Sequence, residues 1–379
     1  MSRKPSPASK GPPRKAPAPR KAPRRTGGRR RESASIGRRL IAMGAGGLTI
    51  LGLVAMLAVL GTMWVYQGPG PAARSGDVTN VVLRRGASLP EIASSLEQAG
   101  VIRSSSIFLT AAQTTGAARK LKAGEYEFPS RASLRQVLGK IRDGKIVRHQ
   151  VTIAEGLTSD MVVDILMRSP VLTGTVPTPP EGSILPETYQ VQRGEDRAVV
   201  LQRMMDDRDE LLDALWAKRQ SGLPFATKDQ AVTMASIVEK ETALASERPR
   251  VAAVFINRLR SGIRLGSDPT IIYGLTRGRP LGRGILLSEL QRQTPYNTYL
   301  IDGLPPTPIA NPGRAALAAV LDPPKTNELY FVADGTGGHV FASTYAEHER
   351  NVAKWRQVER SKAAEAVAPG AAKTPLAGG

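Results

Sequence analysis

The longest uninterrupted apolar stretch of the chain is residues 40–67, LIAMGAGGLTILGLVAMLAVLGTMWVYQ, which holds no charged side chain. About 20 apolar residues cross a bilayer core as a helix, so this run predicts a single transmembrane helix. It lacks the polar face of a surface helix and exceeds the apolar region of a cleaved signal peptide. Arg38 and Arg39 stop it on one side, and Trp64 and Tyr66 stand at the other, where amphipathic rings favour the interface. By the positive-inside rule the basic side stays cytoplasmic and everything beyond Tyr66 lies outside. Residues 68–77, GPGPAARSGD, read as a flexible linker.

Beyond the linker the pattern repeats at an offset of 70 residues: VVLRRGASLPEIASSL at 81–96 and VTIAEGLTSDMVVDIL at 151–166. Each copy opens β-prone, reaches a glycine (Gly86, Gly156), offers a cap (Ser88, Thr158) and continues as an amphipathic helix. Glu91 completes a capping box in the first copy. Ile92, Ala93 and Leu96, and then Val162, Val163 and Leu166, are the apolar faces. Residues 121–128 read as a further strand and 133–146 as a helix. A helix is expected over 196–219, with Val199, Val200, Met204, Leu211, Leu212 and Leu215 inward. Helices follow at 227–242 and 248–260. Residues 262–312 form a long Gly/Pro/Asn/Tyr-rich loop, and long ordered loops usually carry function. Residues 329–333 and 339–343 flank DGTGG as a hairpin. A closing helix covers 345–362.

Charge changes the picture less than its total suggests. The net charge is +20, but residues 1–39 hold 14 basic residues against the single Glu32. That Pro/Ala/Arg/Lys-rich tail is too poor in apolar residues to fold. Its place beside a membrane helix points to anionic lipid rather than nucleic acid, and no aromatic-interleaved basic motif supports a nucleic-acid reading. The chain has no cysteine, which removes disulfides and thiolate metal sites; no metal or cofactor is expected.

Acid–base chemistry is best placed at the end of the 227–242 helix, which carries Glu239 and Glu241. At about 100° per residue, Met234, Ile237 and Val238 define an apolar stripe and Glu241 falls on it, while Glu239 lies off its centre. A carboxyl on a core-facing stripe, at the negative end of a helix, has its pKa raised, as a general acid requires. The competing reading is two solvated glutamates at a helix end.

The run MASIVEKETALASERPRVAAVFINRLRSGIRLGSDPTIIYGL resembles the endolytic murein transglycosylase family, the YceG-like proteins. EGSILPETY at 181–189, TPYNTYLIDGLPPTPIANPG at 294–313 and LYFVADGTGGHVF at 329–341 carry the same resemblance. It covers roughly residues 81–355. The "strand, Gly, Ser/Thr, helix" opening is also similar to LysM modules, which bind N-acetylglucosamine-containing glycans; a plain packing module is the alternative.

The resemblance implies a lyase, a lytic transglycosylase that cleaves the MurNAc–GlcNAc β-1,4 bond of nascent strands, leaves 1,6-anhydro-MurNAc ends and terminates elongation. One carboxyl serves as acid and then base; a two-carboxylate hydrolase would need a second acid, and none is obvious in the sequence. The family's catalytic residue is the second Glu of EKE, here Glu241. Glu239 is the fallback, or a structural partner of Arg258 or Arg260. Tyr296, Asn297 and Tyr299 would form a sugar platform, unless 295–297 is only a turn and Tyr299 core. Asn257 would face the site or cap a helix. Asp268 would contact substrate or serve as an N-cap. His339 reads as a structural hydrogen-bonder. The family often has Gln where this chain has Gly266.

The expected fold is α+β: a single transmembrane helix, a LysM-like module and a mixed α/β catalytic domain. The expected segments are a disordered cytoplasmic tail at 1–39, the span at 40–67 and a linker at 68–77. The LysM-like module follows at 78–150 and the catalytic domain at 151–360, with a second half-motif at 151–195. A disordered tail closes the chain at 361–379. The expected location is the bacterial inner membrane, with the catalytic part periplasmic. Peptidoglycan is the partner, with peptidoglycan synthases implied by resemblance. The alternative is a non-catalytic, membrane-anchored glycan-binding scaffold.

Overall fold

The structure, a computed structural model, describes residues 32–367. Of the tails expected at 1–39 and 361–379, residues 1–31 and 368–379 lie outside the described residues, and residues 32–39 and 361–367 are helical. The remainder falls into two compact units, divided after Pro69.

The first unit is helix α1, Glu32–Gln67. It begins eight residues before the expected span, because no proline interrupts the chain between Glu32 and Gln67. Within it Gly47–Gln67, 21 residues of mean hydropathy 2.2 with none of its window buried, is long and apolar enough to cross a membrane. At 1.5 Å per residue that is about 30 Å, the thickness of a hydrocarbon core.

The second unit opens with β1 (Val78–Leu83), α2 (Leu89–Gln98), α3 (Ser105–Thr114) and β2 (Gly124–Pro129), with β1 and β2 antiparallel. Helix α4 (Leu134–Asp143) packs on β2. The expected capping box is present: Glu91 N donates to Ser88 Oγ (3.4 Å) and Ser88 N donates to the Glu91 carboxylate (2.7 Å). Ile92, Ala93 and Leu96 are buried with Phe108, Tyr126, Phe128 and Ile141.

The second copy of the repeat folds alike, as β3 (His149–Thr152) followed by α5 (Ser159–Arg168). Gly86 and Gly156 hold the same left-handed φ, +78° and +76°, which only glycine adopts without steric cost. Thr158 Oγ1 accepts from Met161 N (3.4 Å). Val162 and Leu166 are buried, but Val163 is only half-buried.

The copies then diverge. Strand β4 (Leu172–Thr173) follows α5; β5 (Thr188–Val191) pairs antiparallel with β3, and β6 (Glu195–Asp196) lies parallel to β4. Buried Glu125 on β2 joins the halves, accepting from His149 Nε2 (2.6 Å) and Arg193 Nε (2.9 Å).

Helix α6 (Arg197–Ala217) leads to the larger core. Val200, Met204, Leu211 and Leu212 are buried as expected; Leu215 is half-buried, and Val199 is 58% exposed while Leu201 is buried instead. Buried Arg197 explains the rotation, donating to the carbonyls of Leu166, Met167, Ser169 and Gly174 and so capping the end of α5. Helices α7 (Lys228–Glu241), α8 (Arg248–Arg260), α9 (Asp268–Thr276), α10 (Leu287–Leu290) and α11 (Arg314–Leu321) complete the helical body. Apolar side chains of α6, α7, α8, α9 and α11 form one cluster in which α7, α8 and α11 pack together.

The expected loop at 262–312 therefore contains two helices. Pro269, in the first turn of α9, favours helix initiation there. Strands β7 (Tyr330–Ala333) and β8 (His339–Ala342) make the expected hairpin. Helix α12 (Tyr345–Val367) runs past the expected end at residue 362, because SKAAEAV is strongly helix-forming. The class is α+β, and among the described residues every sheet has two strands.

Candidate active site

Helix α7 is the central strut. Thr227 caps it, and every residue from Ala231 to Glu239 is buried. Burial all round means that no single stripe marks its inner face. Its two terminal glutamates, two residues apart, point to different sides.

Glu239 keeps less of its own surface exposed than Glu241, which is the more deeply surrounded by protein. It accepts from Gly313 N (2.9 Å) and from Arg248 Nη2 (3.1 Å), which also reaches Glu155 (3.1 Å). Its partner is thus Arg248, not Arg258 or Arg260. Burial raises its pKa, and the Gly313 amide opposes that rise. Every feature of Glu239 ties α7 to the starts of α8 and α11.

Glu241 ends α7. Thr242 then turns the backbone into an extended conformation (φ −137°, ψ 131°). The carboxyl sits in a notch, surrounded by protein yet keeping a partly exposed edge. Ser267 Oγ donates to it. Burial pushes Glu241 up to about 7; the Ser267 hydrogen bond opposes the rise, Asp268 adds to it, and His339 and Arg258 oppose it.

Ser267 is the residue that sequence reasoning missed. It is the N-cap of α9, so Asp268 is the first helical residue and not the cap. Its hydroxyl makes no capping bond and serves Glu241 instead. It is buried, and its amide donates to Thr298 Oγ1 (2.9 Å). The only available signal was a serine ahead of Asp-Pro, a common helix start. Gly266 holds φ +58°, and its amide donates to Thr298 O (3.0 Å). A side chain there would be strained whatever it contacted.

The other expected site residues separate into two groups. Asp268 and Tyr299 meet near Glu241: Tyr299 Oη donates to Asp268 Oδ1 (2.7 Å), with Tyr299 39% exposed. Tyr299 is therefore neither core nor isolated, and Asp268 is a second carboxyl beside Glu241 that sequence spacing did not reveal. Arg258 closes this group. It donates to Leu329 O (2.6 Å) and Leu265 O (2.5 Å), lies 5.5 Å from the Tyr330 ring, and feels the field of Glu241.

The second group makes its hydrogen bonds to neighbouring loops and elements. Asn297 is buried; its Nδ2 donates to Leu290 O (2.9 Å) and Arg292 O (2.8 Å), and its Oδ1 accepts from Tyr299 N (3.1 Å). It shapes the loop that presents Tyr299, with both side-chain polar atoms hydrogen-bonded to that loop. Asn257 donates to Thr326 O (2.9 Å) and Glu328 O (3.0 Å), pinning the approach to β7. Tyr296 pairs with Thr307 Oγ1 (2.8 Å) and meets Tyr273 edge-on at 5.0 Å. His339 Nδ1 bonds Glu247 (2.7 Å) and fixes the hairpin against the start of α8. Among the described residues no group of three or more His, Asp or Glu could hold a metal ion.

The family model described as the YceG-like family matches residues 81–354. The chain belongs to the YceG-like family. The matched span includes Glu241, Arg258, Ser267, Asp268 and Tyr299, and leaves α1 outside. The chain is similar to the endolytic murein transglycosylase of Bacillus subtilis strain 168, with 27% identity over 321 residues covering 76% of this chain and 88% of that protein. It is also similar to the endolytic murein transglycosylase of Streptococcus pneumoniae serotype 2 strain D39, with 28% identity over 357 residues covering 81% of this chain. It spans 64% of the pneumococcal protein's length. A YceG-like protein from Listeria monocytogenes, known from a 2.6 Å crystal structure, is 28% identical with a TM-score of 0.45, covering 73% of this chain and 99% of that one.

Proposed function

We propose that the chain is an endolytic murein transglycosylase, a lyase, in which Glu241 supplies both the acid and the base. The observation that carries this is a carboxyl at the end of a buried helix, with one open edge and a pKa raised to about 7 by burial. Such a group is protonated often enough to give a proton near neutral pH and ionised often enough to take one back. Family membership and the names of the two relatives point to the same reaction.

In the first half, Glu241 gives its proton to the glycosidic oxygen as the bond from the muramic C1 to that oxygen breaks. The glucosamine end leaves with a free 4-hydroxyl. In the second half, the Glu241 carboxylate takes the proton of the muramic 6-hydroxyl as its oxygen bonds C1, closing the 1,6-anhydro ring. The acid is regenerated and no water is consumed. Ser267 orients the carboxyl and steadies its ionised form. Arg258 stabilises the same form, while Asp268 favours the protonated one. Tyr299 offers its ring to a sugar face.

The first module is read as LysM-like, supported by its strand–helix–helix–strand order and antiparallel strand pair. Residues 47–67 are read as an uncleaved inner-membrane anchor that leaves the catalytic part on the periplasmic side, supported by their length and hydropathy. Anchored there, the enzyme meets nascent strands first.

Digestion of purified peptidoglycan followed by mass spectrometry tests the reaction. Fragments ending in 1,6-anhydro-MurNAc are expected. Reducing ends would make the protein a hydrolase, with Asp268 as the second carboxyl, and binding without products would make it a scaffold.

A further inference from the structure

Outside the basic tail, the surplus of positive charge is not spread over the chain. Residues 78–148 hold 12 basic and five acidic residues, whereas residues 149–379 hold 26 of each. The catalytic part is neutral, and the module between it and the apolar helix carries the entire excess.

Much of that excess gathers at one end of the module. The loop between α3 and β2 folds against the C-terminus of α4, with Lys122 N donating to Ile141 O (3.3 Å) and the Lys122 side chain lying over Gly144. Arg119, Lys120, Lys122 and Arg142 line an open groove there, and Lys145 flanks it; all five are exposed. A single acid, Asp143, stands among them, 2.9 Å from Arg142 Nε. Arg142, Lys145 and Lys122 together hold Asp143 below the ordinary carboxylate range. The dipole of α4 favours bases in its last turn, where Lys140 and Arg142 lie. It does not account for Arg119, Lys120 and Lys122, which belong to another segment.

We propose that this exposed basic face docks on an anionic phospholipid surface. The proposal rests on the anchor reading of residues 47–67. Ten residues separate the end of α1 from β1, so a chain anchored by that helix keeps the module near the bilayer. Clustered bases near a bilayer attract acidic headgroups, and each adds to the attraction. Docking there would hold the neutral catalytic part at a fixed height above the membrane, where the glycan emerges.

The test uses the full chain reconstituted in nanodiscs of phosphatidylcholine, with or without phosphatidylglycerol, read by hydrogen–deuterium exchange. Segments 117–123 and 140–146 are expected to exchange about tenfold more slowly in the acidic discs. About 1 M salt, where the screening length falls to roughly 3 Å, should remove that protection. The Lys120→Glu, Lys122→Glu double variant should also remove it, while its turnover of soluble peptidoglycan fragments stays unchanged. Equal exchange in both discs overturns the proposal. Protection in neutral discs by inorganic phosphate alone would mark a simple anion site, and protection there by peptidoglycan fragments would assign the face to the wall; either overturns it too. Failure of the chain to enter discs would overturn the anchor reading and this proposal with it.

Discussion

At the residue scale, function turns on how two glutamates in one helical turn are partnered. Local pattern puts Glu241 on an apolar stripe and Glu239 off its centre, but burial in the structure does not follow that stripe. The stripe of Met234, Ile237 and Val238 is no face, because α7 is buried all round from Ala231 to Glu239. What separates them is distant: Gly313 and Arg248 occupy Glu239, whereas Ser267 meets Glu241 at an open edge. In the proposed mechanism Glu241 must be protonated to begin the reaction, so kcat/KM should fall as pH rises through about 7. Ser267→Ala removes a bond that favours the ionised form and should move that fall to higher pH. Asp268→Asn removes a repelling charge and should move it lower. A pH–rate profile that neither variant shifts would contradict the assignment.

The same raised pKa has a sign in stability. The folded value lies above the unfolded one, so the contribution of Glu241 is fully present below about pH 4.5 and is lost as pH rises through about 7. Glu241→Gln should therefore raise stability at pH 8 by about 1–3 kcal/mol, read as a higher Tm, and leave it little changed at pH 4. The loop residues divide likewise. Asn297→Ala strands buried amide and carbonyl groups and should lower stability by about 1–3 kcal/mol with little effect on KM. Tyr299→Ala should raise KM with a small change in Tm. The sequence placed both residues in one platform, because spacing cannot tell a loop's inner side from its outer side.

At the element scale, most of the fold was legible. Caps and periodicity locate α2, α4, α6, α7 and α8 to within a few residues, and the internal repeat shows as two matching strand–turn–helix units. The misses have physical causes. Val199 is turned outward because Arg197 is drawn inward to cap α5. Helix α9 hides in a stretch whose glycines and prolines read as loop, although Pro269 at its start is a helix signal. The join of α7, α8 and α11 rests on a charge network, with Glu239 at its centre. Glu239→Ala would leave Arg248 without one carboxylate and Gly313 without its acceptor. It should cost about 3–5 kcal/mol, read as a lower denaturant midpoint. Glu239→Gln keeps an acceptor for Gly313 and should lose less.

At the scale of the whole molecule, charge and hydropathy divide the chain beyond its basic tail into an apolar helix, a basic stretch at 78–148 and a neutral remainder. The hydropathy of the first and the total charge are plain in the sequence. The convergence of Glu241, Ser267, Asp268, Tyr299 and Arg258 is not, since it joins the ends of α7 and α8, the start of α9 and a loop about 30 residues beyond. The central claim is that one carboxyl performs both proton transfers. Its most direct test is the rate at which purified wild-type and Glu241→Gln proteins, both shown to be folded by circular dichroism, release 1,6-anhydro-MurNAc ends from peptidoglycan. The wild type should release them, and the variant should be slower by a factor of about 100 or more. A variant that matched the wild type, or a wild type that released only reducing ends, would contradict it.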